Sequence, residues 1–196
     1  MTRGRPKKFD DADVLARAMT VFWKKGYAAT SLDDLVSAMG IPRQSLYRAF
    51  TDKHTLFIKT LEFYNENVAS KLISILTAEG PAINCLRNTF AFWRSGVSSP
   101  ERIGCMMVNT SAQDFSEDTE VTQLVKASQL RGVKAFEQTL KRAQLEGDVK
   151  ASIDAKAVSR TVFATVNGML AISRTGVSDA FRKDVFETLP ILIGMD

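Results

Sequence analysis

The chain has 196 residues, 45% hydrophobic and 24% charged, with a net charge of +4 and two cysteines. That length allows a core of ordinary size, no apolar run approaches the ~18–20 residues that span a bilayer, and two cysteines without CxxC or Cys/His spacing exclude a disulfide framework or a zinc site. Residues 1–60 hold eleven Lys/Arg against six Asp, a net +5, which leaves −1 for residues 61–196; a basic excess at one end is the electrostatic footprint of a polyanion binder, with a solvated face as the plainer alternative.

The opening MTRGRPKKFDDADV is basic, but acidic residues follow it rather than an apolar stretch and cleavage site, so no secretory signal is expected and the cytoplasm is the expected compartment. Val14, Leu15, Ala18, Val21 and Phe22 recur at helical spacing and predict a helix over 10–25 that halts at Gly26. Acidic residues in its first turn and Lys24-Lys25 in its last suit the macrodipole. Thr30 with Asp33, or Ser31 with Asp34, then offers a capping box, and Leu32, Leu35, Val36 and Met39 form one apolar stripe up to Gly40. Ile41-Pro42 restarts the chain, and Leu46, Tyr47 and Phe50 mark a third helix. Leu46 and Phe50 share one face, which leaves Arg43, Gln44, Ser45, Arg48 and part of Tyr47 outward.

Two short helices across a tight turn containing glycine are the helix-turn-helix pattern, whose second helix enters the major groove of DNA. In that reading Arg43 suits a bidentate contact to guanine and Gln44 one to adenine, while Ser45 and Arg48 share the outward face. Thr30, Ser31, Tyr47 and Lys53 are placed near phosphates, where they set register without reading sequence. For Tyr47 the competing placement is a ring packed under the first helix.

The stretch TSLDDLVSAMGIPRQSLYRAFTDKHTLF resembles the N-terminal signature of TetR-family transcriptional regulators, which continues through an LY-x-x-F-x-x-K-x-x-L element matched by Leu46, Tyr47, Phe50, Lys53 and Leu56. The resemblance covers residues 9–60, and it departs at Pro42, where the family often has a Ser/Thr cap, and at Ala49, where it often has a polar or aromatic residue. It implies a homodimer with a DNA-binding domain, here 1–51, and a ligand-binding and dimerisation domain, here 52–196. RGRP at 3–6 is similar to the core of AT-hook peptides, so Arg3 and Arg5 are expected in an adjacent minor groove.

The remainder reads as helices over 52–77, 82–96, 101–114, 118–146, 154–174 and 178–193, giving an all-α chain of about nine helices with a C-terminal bundle. Val158, Val162, Val166 and Leu170, then Phe181, Val185 and Leu189, form stripes that the resemblance implies pair with a second subunit. Phe90, Trp93, Met106, Met107, Asn109, Thr110, Gln113 and Phe136 combine aromatic, flexible apolar and polar side chains, the composition of a small-molecule pocket and equally of an imperfectly apolar core. No Gly-rich phosphate loop, HExxH or GxSxG occurs, and the one histidine, His54, has no evident partner set, so neither catalysis, a cofactor nor a metal is expected. The expectation is a sequence-specific repressor on a pseudo-palindromic operator, released by a small effector. One alternative is a thiol switch at Cys105, activated by Arg102, since some TetR-like regulators sense oxidants or electrophiles through such a cysteine. Another, of a different class, is a helical enzyme or scaffold that merely contains the helix-turn-helix.

Overall fold

Local signals and burial agree along most of the chain in the computed structural model, which describes residues 11–99, 101 and 103–195. The roles expected of Arg3, Arg5 and Arg102 lie outside the described residues. Packing divides the chain into two units, Met1–Tyr64 and Asn65–Asp196.

The first unit contains α1 (Asp11–Lys25), α2 (Leu32–Met39), α3 (Arg43–Phe50) and α4 (Lys53–Tyr64). Its boundary falls one helix later than the expected 51/52, because α4 packs against α1 and buries Leu56, Phe57, Leu61 and Tyr64. In the aromatic centre Phe22 meets Phe57 edge-on at 5.0 Å, Tyr27 tilts against Phe57 at 4.9 Å, and Trp23 meets Tyr64 edge-on at 5.0 Å. Of the two possible capping boxes the structure uses Ser31 with Asp34: the Asp34 amide donates to Ser31 Oγ at 3.1 Å and the Ser31 amide donates to Asp34 Oδ2 at 2.9 Å. Gly40 closes α2 at φ +66°, a conformation that glycine adopts without a steric penalty and that turns the chain directly into α3.

The second unit begins with a π-helical turn, Asn65–Ala69, and continues through α5 (Ser70–Leu76), α6 (Ala82–Val97), α7 (Met106–Ser111), α8 (Thr119–Glu146), α9 (Ala155–Ile172) and α10 (Asp179–Leu192). Counting the uninterrupted helical stretch 53–76 once, the described residues form nine helices and no strand. Helix α7 is shorter than the expected 101–114 because residues 103–105 leave the helix and are held by Asn109, whose Nδ2 donates to the Ile103 carbonyl at 2.7 Å. The core gathers Leu86, Phe90 and Trp93 of α6, Phe136 and Leu140 of α8, Val162, Phe163 and Val166 of α9, and Phe186 and Leu189 of α10. Gly132 lets α8 and α9 meet, since a Cβ there would lie 2.7 Å from Phe163 Cε1. At Gly168, by contrast, a Cβ would meet nothing within 4 Å in the protomer. Among the described residues no helix is long and apolar enough to cross a membrane.

Candidate nucleic-acid interface

Helix α3 carries two faces. Leu46 and Phe50 are buried in the first unit, and Arg43, Gln44, Tyr47, Arg48 and Ala49 are exposed, with Ser45 half-buried. Tyr47 is 44% exposed, which decides against a ring packed under α1. Arg43 Nη1 lies 3.6 Å from Asp33 Oδ1 on α2, and both side chains are largely in water, so the pair is weak and readily exchanged for a base edge. Pro42 at the N-cap provides no side-chain hydrogen bond to α3.

Two of the residues expected at phosphates are engaged inside the fold. Thr30 is buried, and its hydroxyl donates to the Gly26 carbonyl at 2.6 Å, where it staples the α1–α2 turn. Ser31 is exposed, but its hydroxyl caps α2 and donates to Asp34 Oδ2 at 2.9 Å. Lys53 is half-buried, with Nζ 4.3 Å from the centroid of the Tyr27 ring, and desolvation holds its proton affinity below the usual lysine range. Sequence reasoning named Asp33 only as a possible cap, without its pairing with Arg43, and missed Tyr27. Tyr27 stood in plain sight after the helix-ending Gly26, but nothing local pairs residue 27 with residue 53.

Lys25 of α1 fixes the start of α2, donating from Nζ to Asp34 Oδ1 at 2.5 Å. That bond, with the amide and hydroxyl of Ser31, draws the Asp34 carboxyl down to about 2. A depressed carboxyl contributes stability that is complete above its unfolded value of ~3.9 and is lost as the pH falls through its folded value. The Ser31 amide resonance of the wild type is therefore expected to shift in a low-pH window centred at about pH 2. Asp34→Asn should remove that titration and loosen α2 already at neutral pH. A Ser31 amide that still titrates in this window in Asp34→Asn would refute the assignment.

In the second unit the expected pocket residues separate into two groups. Phe90, Trp93, Phe136 and Phe163 form one cluster of edge-to-face and tilted ring contacts at centroid separations of 5.2 to 6.0 Å, too close for a ligand to lie between the rings, so they are core. Met106, Met107, Asn109 and Thr110 are buried on α7. Thr110 and Gln113 also line a cavity of about 350 Å³ where the α7–α8 loop meets the first turns of α8. Its other walls, which the sequence did not reveal, include Phe115, Thr122, Val125 and Lys126.

Of the residues expected at a subunit contact, Val162, Val166 and Leu189 are buried in the protomer's own core, Val158, Leu170 and Val185 are partly buried, and Phe181 is exposed. The exposed apolar groups near α10 are Phe181, Ile191 and Leu192, and a groove of about 240 Å³ lies between α9 and α10, lined by Thr165, Val185 and Leu192. Cys105 is half-buried and opens a six-residue helix directly before the buried Met106, Met107 and Val108; neither cysteine is in a disulfide. The thiol-switch alternative is not favoured.

Residues 14–60 match the family described as bacterial regulatory proteins, tetR family, and residues 82–187 match the tetracyclin repressor-like C-terminal domain. The chain belongs to the TetR family. It is 31% identical over 179 residues to the HTH-type transcriptional repressor ComR of Escherichia coli (strain K12), covering 90% of this chain and 85% of that protein. It is 33% identical over 159 residues to the uncharacterized HTH-type transcriptional regulator YezE of Bacillus subtilis (strain 168), covering 80% and 82%. Among solved structures it resembles a cysteine-substituted mutant of the TetR family regulator CifR complexed with 26-base-pair double-strand operator DNA, at TM-score 0.84 and 27% identity over 98% of this chain and 100% of that one. This TetR-family chain is a DNA-binding transcriptional regulator, and α2 with α3 is its helix-turn-helix.

Proposed function

We propose that the protein is a homodimeric repressor that holds a pseudo-palindromic operator with one α3 from each subunit and releases it when a small molecule occupies the cavity between α7 and α8. The observation that carries the reading is the division of α3 into a buried Leu46/Phe50 face and an exposed row of Arg43, Gln44, Tyr47 and Arg48. Arg43 and Gln44 read bases, and Tyr47, Arg48 and Lys53 hold phosphates. Eight residues of α3 reach only a few base pairs, and a two-fold axis doubles the readout. The subunit contact in this reading uses the outer surface of α9 and α10, namely Phe181, Val185, Ile191 and Leu192 beside the small exposed residues Ala164 and Gly168.

The effector is a small amphiphilic molecule. The cavity offers Phe115 and Val125 as apolar walls and Thr110, Gln113, Thr122 and Lys126 as polar ones, and it acts in the cytoplasm, where the regulated DNA lies. A ligand can shift the equilibrium between operator-competent and released states only by its differential affinity for the two. The test is a gel shift on DNA from upstream of the protein's own gene, with release screened against a compound library. Thr122→Trp, which fills the cavity from its exposed rim, is expected to keep the shift and lose the release. A variant released by the same compounds at the same concentrations would place the effector elsewhere, and a wild type that shows no shift on this DNA would exclude it as an operator.

A further inference from the structure

Lys53 is set where a lysine is not favoured. It is the first residue of α4, against the positive end of the helix dipole, and its ammonium is partly desolvated. Both effects oppose keeping a cation there. The interaction that offsets them is the Tyr27 ring, whose centroid is 4.3 Å from Lys53 Nζ. That ring has little freedom: it stacks on the buried Phe22 at 6.1 Å, tilts against Phe57 at 4.9 Å and meets the edge of His54 at 6.4 Å. Lys53 follows the end of α3 by only three residues, so its ammonium is held beside the helix that reads DNA.

We propose that Tyr27 is a positioning residue for DNA binding: its face fixes the Lys53 ammonium in advance, so that the cation meets an operator phosphate already ordered. A lysine has a flexible four-carbon stem, and freezing it at the moment of binding costs affinity. With one side of the ammonium against the ring, the other donors stay free for phosphate oxygens. The proposal rests on the reading of Lys53 as a phosphate contact.

The experiment is a double-mutant cycle on a labelled duplex selected by the wild-type protein from a random-sequence pool, with anisotropy read across a salt series. Lys53→Ala is expected to weaken binding and to reduce the salt slope by about one per subunit, about two for the dimer. Tyr27→Leu should weaken binding roughly 2- to 10-fold, the range set by the cost of immobilising one rotamer-rich side chain on binding. Tyr27→Phe should bind as wild type, and Tyr27→Leu should cost nothing further in a Lys53→Ala background. If Lys53→Ala changes neither affinity nor slope, the phosphate reading fails and the proposal with it. If Lys53→Ala weakens binding but Tyr27→Leu does not, or costs the same in both backgrounds, the ring has a merely structural role and only the proposal falls. A second measurement is independent of how Tyr27→Leu folds. In wild-type protein carrying ¹³C-dimethyllysines, the Lys53 resonance, assigned with Lys53→Arg, should be shifted upfield by the ring and remain so on the duplex. Loss of that shift on binding would overturn the proposal.

Discussion

Arg43→Ala and Gln44→Ala are each expected to lower affinity for the operator by about 1–3 kcal/mol per half-site while leaving affinity for random duplex nearly unchanged. The physical reason is the separation of roles proposed for α3. A bidentate pair from Arg43 to guanine O6/N7 or from Gln44 to adenine N6/N7 exists only when the right base is presented, and a mismatched base leaves the same donors partly unpaired in a desolvated groove. The phosphate contacts are indifferent to sequence and survive both substitutions. Neither change is expected to disturb folding, because both side chains are exposed and Arg43's ion pair with Asp33 is weak. The deciding quantity is the ratio of operator to random-duplex affinity at one stated salt concentration. An unchanged ratio in Arg43→Ala would remove base reading from this residue.

The second large effect separates the protomer's core from the subunit contact. Val166→Asp is expected to abolish cooperative folding of the second unit, because Val166 is 1% exposed within the cluster that holds Val162, Phe163 and Leu189. An unpaired carboxylate there costs several kcal/mol, comparable with the ~5–15 kcal/mol that holds a whole domain together. Leu192→Asp places the same charge at an exposed position, 48% accessible in the protomer, and is expected to leave the protomer cooperatively folded while halving the mass in sedimentation. A folded, soluble Val166→Asp would contradict the packing of α9. A dimeric Leu192→Asp would move the interface off the outer surface of α10.

How much of this was legible depended on the range of the signal. Helix α2 could be read because each of its determinants is local: a hydroxyl three residues before an aspartate, an apolar stripe and a closing glycine. Even so, Thr30/Asp33 and Ser31/Asp34 were equivalent on paper, and the choice came from Thr30 being drawn into the α1–α2 turn by the Gly26 carbonyl. The C-terminal end of α10 shows the same limit. Leu189, Ile191 and Leu192 are all aliphatic at the end of one helix, yet Leu189 is buried in the core while Ile191 and Leu192 are exposed. A helix's first apolar face is used by its own protomer, and only what remains outside is available to a partner. The mixed aromatic and polar set around Trp93 and Phe136 was ambiguous for a different reason, since a pocket and a core draw on the same residue types and differ only in whether the rings touch.

By itself the sequence determined the all-α class, the helix-turn-helix, the outward row of Arg43, Gln44 and Arg48, and the family, because all of these are written in spacings of a few residues that a helix repeats every turn. Tertiary structure alone decided that α4 packs on α1, that Tyr27 lies over Lys53, that Gly132 admits Phe163, and that the aromatic cluster is closed while the cavity lies at the start of α8. Each of these joins residues separated by at least two dozen positions along the chain or depends on how side chains from several helices fill one volume, and helical periodicity carries no information about either.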